Sequence, residues 1–196
     1  MKDKAESIVL IGAGGHCKSI IDVLEHLDRY RIAGIVGMPW EAGIKVLGYP
    51  VIGTDDDLEK IVSEYKYFHI ALGFLRSPQR RVEIWKLLTG FGASMPALIS
   101  PLAYVSRHSL VGKGSIVMHQ ALINASAVVG ENVIINTKAL VEHDAIIGDH
   151  CHIATGAVIN GGVKVGEGSF VGSGAITRQG VEIEAGAFIK ANSIVK

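Results

Sequence analysis

Two places in this sequence bring together residue types able to do acid–base or anion chemistry. One is His143-Asp144, an imidazole next in line to a carboxylate. An imidazole with its ordinary pKa of ~6.5 is suited to accept a proton near neutrality. A carboxylate beside it stabilises the imidazolium and fixes the tautomer. Such a pair can take the proton that an amine or hydroxyl loses as it attacks an activated carbonyl. The other place is Gly12-Ala13-Gly14-Gly15-His16. There the backbone N–H groups of a glycine turn can cradle phosphate beside a helix N-terminus. His16, directly after the turn, favours a ligand loop over a turn that needs glycine for steric reasons alone. The turn is not a dinucleotide fingerprint, because Cys17 takes the third glycine place. The segment Ile35-Val36-Gly37-Met38 also lacks the acid that would hold a ribose, which argues against a redox cofactor.

These residues need elements to position them, and the clearest element is a repeat. From Pro101 to Lys196 the chain divides into sixteen hexads without insertion. The fifth place is Val or Ile in every hexad but one, which has Thr177, and the third place is always Ala, Ser, Val or Cys. No helix of period 3.6 keeps such a beat. Short strands joined by tight turns do, since one small and one aliphatic residue per side fill a narrow core. The pattern predicts a parallel β-helix with three sides, eighteen residues to a rung and ~4.8 Å between rungs. His143 and Asp144 then occupy a corner and project outward. Gly161 and Gly162 stack one rung on, with Ala125 and Ser126 one rung back. The imidazole therefore faces residues with little or no side chain. Space and backbone N–H groups beside a base are what acyl transfer needs, because an oxyanion develops. Glu142 stacks between Asn124 and Asn160 as a polar ladder, which stacked turn amides also form for structural reasons alone.

Before Pro101 strands alternate with helices. Ser7–Gly12, Arg31–Val36 and Tyr67–Leu72 read as strands, with helices from about Cys17 to His26, from Thr54-Asp57 through Tyr65, and over Pro78–Leu88. This predicts a small parallel α/β, Rossmann-like sheet with right-handed crossovers. Met95–Pro101, bounded by prolines, is the natural junction, giving domains at 1–97 and 98–196.

Composition narrows the function. Nineteen basic against nineteen acidic residues, with no long run of either, argue against a nucleic-acid partner held by phosphate neutralisation. No apolar stretch approaches the ~18 residues of a membrane span. Ile8–Ile11 is too short for a signal-peptide core, so a cytoplasmic location is expected. Cys17 and Cys151 are too few for a disulfide scaffold and lack metal-ligand spacing; Cys151, in a small inward place, reads as core filler.

A GAGGH turn in a small α/β domain, followed by an insertion-free hexapeptide tail, resembles the NeuD/PglD-type sugar acetyltransferases. The most specific segment is Asn136-Thr137-Lys138-Ala139-Leu140-Val141-Glu142-His143-Asp144. The resemblance implies an N-terminal Rossmann-like α/β domain followed by a left-handed parallel β-helix. It implies a homotrimer that takes acetyl-CoA along the β-helix at subunit boundaries and holds a nucleotide-linked sugar near the α/β domain. It makes His143 the catalytic base and Asp144 its polarising acid. It places His152 at the acetyl-CoA thioester end with the Gly161 backbone nearby, and Gly12, Gly14, His16 and Gly73 at the sugar nucleotide. Family members commonly carry paired Asp after the second strand, where Gly37-Met38 stand here. They carry polar residues after the third-strand glycine, where Phe74-Leu75 stand. The usual Gly-x-Pro-Ala ending is absent before Lys196.

The remaining histidines have plainer readings. His119 is one rung plus one side from His143 and cannot share its face. His150 reads as solvated, and His152 as facing out on a flat side that a neighbouring subunit covers. His26, His69 and His108 carry no motif. No metal is expected, since His150 and His152 alternate faces without a third ligand. The fourth places Leu110, Ile116, Leu122, Val128, Ile134, Leu140 and Ile146 point away from the coil's core, an apolar surface best buried against symmetric copies. The leading expectation is acetyl-CoA-dependent N-acetylation of a nucleotide-activated amino sugar. The alternatives are O-acetylation of a sugar hydroxyl, as in the sialic acid enzymes, and a non-catalytic trimer that binds a nucleotide sugar. A bifunctional nucleotidyltransferase lacks room and a metal-binding acid pair.

Overall fold

The computed structural model describes residues 5–196. Contacts divide the chain into two compact units: one runs to Gly73 and takes in Arg81–Pro96, the other comprises Phe74–Arg80 and Ala97–Lys196.

In the first unit β1 (Glu6–Ile11) pairs in parallel with β2 (Tyr30–Val36) and β5 (Tyr67–Ile70); with β3 (Lys45–Val46) and β4 (Tyr49–Gly53) the sheet order is β3-β4-β2-β1-β5. Ile8–Ile11 is wholly buried, the continuous apolar run of a central parallel strand. The helix α1 (Gly15–Glu25) buries Cys17, Ile20, Ile21, Val23 and Leu24. On α3 (Gln79–Gly90), Ile84, Trp85 and Leu88 join Val9, Ile11, Phe68 and Ile70 in one core. The Thr54–Asp57 capping box forms, with Thr54 N–H donating to Asp57 Oδ2 at 2.8 Å. It opens on a 3-10 turn over Asp55–Asp57, so α2 (Leu58–Glu64) is shorter than expected.

Two strands escape the sequence pattern. β3 (Lys45–Val46), the edge strand, runs antiparallel to β4 (Tyr49–Gly53), which lies parallel to β2. The hairpin turns on Leu47 and Gly48, both left-handed at φ 47° and 91°. That is the type I′ geometry normally announced by Asn-Gly or Asp-Gly, and Leu47 in the first place hides it.

The second unit is the β-helix. Two-residue strands stack in three parallel sheets, each paired with a strand eighteen residues away, as in Leu122↔Leu140↔Val158. Third and fifth places line one core, from Val117 through Ala121, Ile123 and onward to Ile183. Every second place from Gly114 to Asn192 is left-handed, including the non-glycine residues Gln120, Ser126, Asn132, Lys138, Asp144, His150 and Asn192. The polar third places satisfy themselves. Ser115 Oγ donates to Gly130 O at 2.7 Å, Ser169 Oγ to Glu184 O at 2.9 Å, and Cys151 Sγ to Gly166 O at 3.1 Å. Thr177, the exception in the fifth place, accepts the Asn160 N–H at 2.9 Å.

The outward fourth places differ by side, which corrects the expectation of one apolar belt. Ile116 and Ile134 are fully buried, sharing their sheet with Leu98, His152 and Phe170. The other two sheets keep apolar residues in contact with solvent. Leu110, Val128 and Ile146 are exposed on one, and Tyr104, Ile176 and Ile194 on the other, with Leu122, Leu140 and Val158 half-buried between them.

Glycine serves the prism in two distinct ways. Gly112, Gly130, Gly148 and Gly166 stack at one corner, where a Cβ on Gly148 would lie 2.7 Å from Glu167 N. Gly156 has open space around it but sits at φ +65°. Gly156→Ala should therefore cost about 1 kcal/mol of conformational strain alone. Gly148→Ala, which displaces backbone, should cost about 2–3 kcal/mol. Urea denaturation midpoints of the two variants check the order.

Candidate active site

His143 and Asp144 lie in the turn between Leu140–Val141 and Ile146–Ile147. The rungs above and below hold this turn. Asp144 N–H donates to Ala125 O at 3.2 Å, and Gly162 N–H to His143 O at 3.0 Å. Asp144 takes the left-handed conformation at φ 60°. Its Oδ2 lies 2.8 Å from His143 Nδ1, with both side chains more than half exposed. The hydrogen bond to Asp144 is the largest of the influences that raise the imidazole pKa above its usual value, with the charges of Asp144 and Glu142 adding to it. With Nδ1 donating to the carboxylate, Nε2 is the basic nitrogen.

That nitrogen lies over a residue with no side chain. A Cβ on Gly161 would stand 2.7 Å from His143 Cε1 and Nε2, so any other residue would displace the ring. The neighbouring Gly162 N–H is already committed to His143 O, which leaves Gly161 as the backbone donor of the pair. The polar ladder forms only in part. Asn124 Nδ2 donates to Glu142 Oε2 at 2.8 Å, and His143 N–H reaches the same oxygen at 3.2 Å. Asn160 turns instead to Thr177, donating from Nδ2 to its carbonyl. Glu142 thus braces the base from one side while the other stays clear.

His152 differs from expectation. It is 6 % exposed, and residues of its own chain cover it. Nδ1 donates to Phe74 O at 2.8 Å, and Nε2 lies 3.3 Å from Asn136 Nδ2. The ring packs edge-on between Phe74 and Phe170, at 5.5 and 5.2 Å between centres. His152 and His143 are nine residues apart, half a rung, so one chain holds them on opposite sides of the prism. The solvated reading of His150 also fails. It is buried, with Nδ1 3.0 Å from Asn132 Nδ2, because its left-handed turn folds the ring against the rung below. His119 pairs with Ser100 Oγ at 2.6 Å. Burial pushes the Cys151 thiol up to about 12 and the Cys17 thiol likewise, the latter helped by Glu41, so neither is a nucleophile near neutrality.

The glycine turn of the first unit gathers four predicted residues at the C-terminal edge of the sheet. Gly12, at φ +109°, donates its N–H to Val36 O at 2.7 Å, and a Cβ there would strike Leu72. Gly14 precedes α1 as its N-cap, leaving the first-turn N–H groups uncapped by any side chain. Gly73, beyond the end of β5, packs against the His16 side chain, with a virtual Cβ 3.6 Å from His16 Cβ. One supporting residue is absent from the sequence reading. Arg81 is buried, and its Nη1 donates to Ile70 O at 2.8 Å and to Leu72 O. Burial lowers it to about 9, so it stays charged at neutrality. The signal was available: Arg81, Ile84, Trp85 and Leu88 share one helical stripe, with a cation among apolar residues. His69 beside it is fully buried and held well below the usual range, first by burial and then by Arg81 and His16.

Comparisons with known proteins agree with this architecture. Residues 7–86 match the PglD N-terminal domain, and residues 126–161 match six bacterial transferase hexapeptide repeats. Comparison with curated protein sequences finds no match. The acetyltransferase domain of PglB from Neisseria gonorrhoeae FA1090, solved in complex with acetyl coenzyme A, is 32% identical. That alignment has a TM-score of 0.88 and covers 98% of this chain and 93% of that one. PerB from Caulobacter crescentus, solved with CoA and GDP-perosamine, is 34% identical with a TM-score of 0.89, over 97% of this chain and 88% of that one. WeeI from Acinetobacter baumannii AYE, at 20% identity and a TM-score of 0.72, shares the fold. An α/β domain followed by a left-handed parallel β-helix, with the identity to these enzymes along nearly its whole length, makes this chain a member of the NeuD/PglD-type sugar acetyltransferase family.

Proposed function

We propose that the protein transfers the acetyl group of acetyl-CoA to an amino group of a nucleotide-activated sugar, with His143 as general base. The observation that carries this reading is the 2.8 Å pairing of His143 Nδ1 with Asp144 Oδ2, which leaves Nε2 basic above the bare backbone of Gly161. PglB and PerB are acetyltransferases solved with acetyl-CoA, or with CoA and GDP-perosamine, which supports the choice of both substrates.

The sugar amine attacks the thioester carbonyl carbon and forms the C–N bond while Nε2 takes its proton. The Gly161 N–H meets the oxyanion of the tetrahedral intermediate. Collapse breaks the C–S bond, and the CoA thiolate leaves and recovers a proton from the imidazolium. Asp144 holds the tautomer throughout and stabilises the cation formed midway. No covalent acyl-enzyme is needed, which accords with two buried, protonated thiols. Gly12, Gly14, His16 and Gly73 receive the sugar nucleotide, its phosphates against the N–H groups that open α1.

A homotrimer fits the same reading. Two sides of the prism expose aliphatic columns, and the His143 corner lies between them. Symmetric copies packed there would cover the columns and wall the base into a groove.

His143→Ala should lower kcat by about 10²–10⁴-fold, with the denaturation midpoint unchanged because the side chain is exposed. Turnover close to the parent level in a thiol-release assay removes His143 from the mechanism. Asp144 raises the His143 pKa, so the base is lost to protonation as pH falls through a value above the ordinary histidine range. Asp144→Asn should therefore shift the acid limb of the kcat profile to lower pH while reducing the plateau. A limb that stays in place assigns the titration to another group. His16→Ala should raise the KM for the nucleotide sugar several-fold more than that for acetyl-CoA; equal changes in both would move His16 out of the acceptor site.

A further inference from the structure

The end of β2 carries a feature that the acetyl-transfer reading leaves unused. In a mononucleotide-binding sheet the nucleoside lies over the strand next to the one that feeds the phosphate turn, and an acid at that strand's end holds the ribose. Here β2 is that neighbour, pairing with β1 through Ile11↔Val36. It ends in Gly37-Met38-Pro39-Trp40-Glu41, with a 3-10 turn over Pro39–Glu41.

This segment is held firmly. Gly37 N–H donates to Gly53 O at 3.0 Å, and Glu41 N–H to Met38 O at 2.8 Å. The one carboxylate available is turned inward. Glu41 Oε2 accepts the Met38 N–H at 2.8 Å and would stand 2.9 Å from a Cβ on Gly37. Gly37 has no room for a side chain, and Glu41 is spent as a cap.

What remains to meet a ligand is Trp40, 76 % exposed, with Met38 also exposed beside it. A tryptophan left this open on a rigid, capped turn, one strand away from a phosphate-binding glycine loop, offers a flat π-face where the ribose acid would otherwise stand.

We propose that Trp40 is the base-recognising residue of this enzyme, and that the nucleobase of the sugar nucleotide stacks on its indole. The proposal rests on the nucleotide-sugar reading above and deepens it. Recognition at this strand end is then by stacking rather than by a carboxylate. Phosphate contacts at Gly12–His16 set the position, and the ring face supplies affinity through the base.

The chain holds two tryptophans, and the other, Trp85, is buried in the core of the first unit. The red-shifted part of the emission therefore reports on Trp40, and Trp40→Phe leaves Trp85 alone as the reference. In the full-length protein, titration with GDP and with UDP should quench the exposed, red-shifted emission, whereas inorganic pyrophosphate should not. Trp40→Phe should remove that quench. Quenching by pyrophosphate equal to that by the nucleotides, or a quench that survives in Trp40→Phe, overturns the proposal.

Kinetics supply the second arm. Trp40→Ala should raise the KM for the nucleotide sugar about tenfold, the effect of losing one stacked base. The KM for acetyl-CoA and kcat should change less than about twofold by the same accounting, and Trp40→Phe should restore most of the loss. An unchanged nucleotide-sugar KM in an active Trp40→Ala enzyme refutes the role of Trp40 alone. Failure of the parent enzyme to consume acetyl-CoA with any UDP-, GDP- or CMP-linked sugar refutes the functional reading, and this proposal with it.

Discussion

A turn residue in this β-helix lies directly over the residue one rung away, and that stacking constraint governs what each corner can carry. The backbone ladder leaves no freedom to separate them, since Asp144 N–H bonds to Ala125 O and Gly162 N–H to His143 O. A large side chain at a corner must therefore pair with its stacked neighbour, as His150 does with Asn132, or find that neighbour small. The imidazole of His143 is accommodated only because position 161 is glycine, and even one added carbon would collide with it. The same constraint works without chemistry at the corner of Gly112, Gly130, Gly148 and Gly166, where backbone packs on backbone. Catalytic geometry and structural packing thus draw on one rule.

The left-handed second place adds the next step. Seven of these positions carry a side chain despite the steric preference for glycine. Asp and Asn tolerate the conformation, and Asp144 gains from it. With φ positive, its carboxylate curls back towards the preceding residue and reaches His143 Nδ1. Two adjacent residues in an extended strand would point to opposite faces and could not pair so. The His-Asp pair is a product of the turn, and the turn is a product of the hexad.

How far this could be read in the sequence follows from which interactions are periodic. The core is legible because small third places and aliphatic fifth places repeat without a break, and the His143–Gly161 juxtaposition follows by counting eighteen. The three sides, by contrast, share one sequence pattern and yet differ in exposure. Nothing in the hexad distinguishes buried Ile116 and Ile134 from exposed Leu110 and Val128. Phe74, which caps His152, lies seventy-eight residues away and has no periodic relation to it. A corner place does not ensure solvent for His150, because the Asn132 side chain one rung back meets its ring at 3.0 Å. In the first unit the alternation of strands and helices was plain. The Leu47-Gly48 hairpin was not, since its first residue lacks the usual turn chemistry.

The histidines of this protein show that environment rather than residue type selects the base. His69 is fully buried beside the Arg81 guanidinium, so burial and a like charge both hold it neutral and remote from solvent. A proton could reach it only at the expense of the core. His152 has both ring nitrogens facing groups of its own chain and two aromatic rings against its edges, which makes it an anchor for the segment containing Phe74. His143 alone combines an exposed ring with a carboxylate fixed at Nδ1 and a clear approach to Nε2. Exposure lets a substrate proton reach it, and the carboxylate keeps its affinity for that proton above the ordinary histidine range. Both properties arise from placing the residue at a corner, since a flat side would have left it facing a neighbouring strand and an inward place would have buried it.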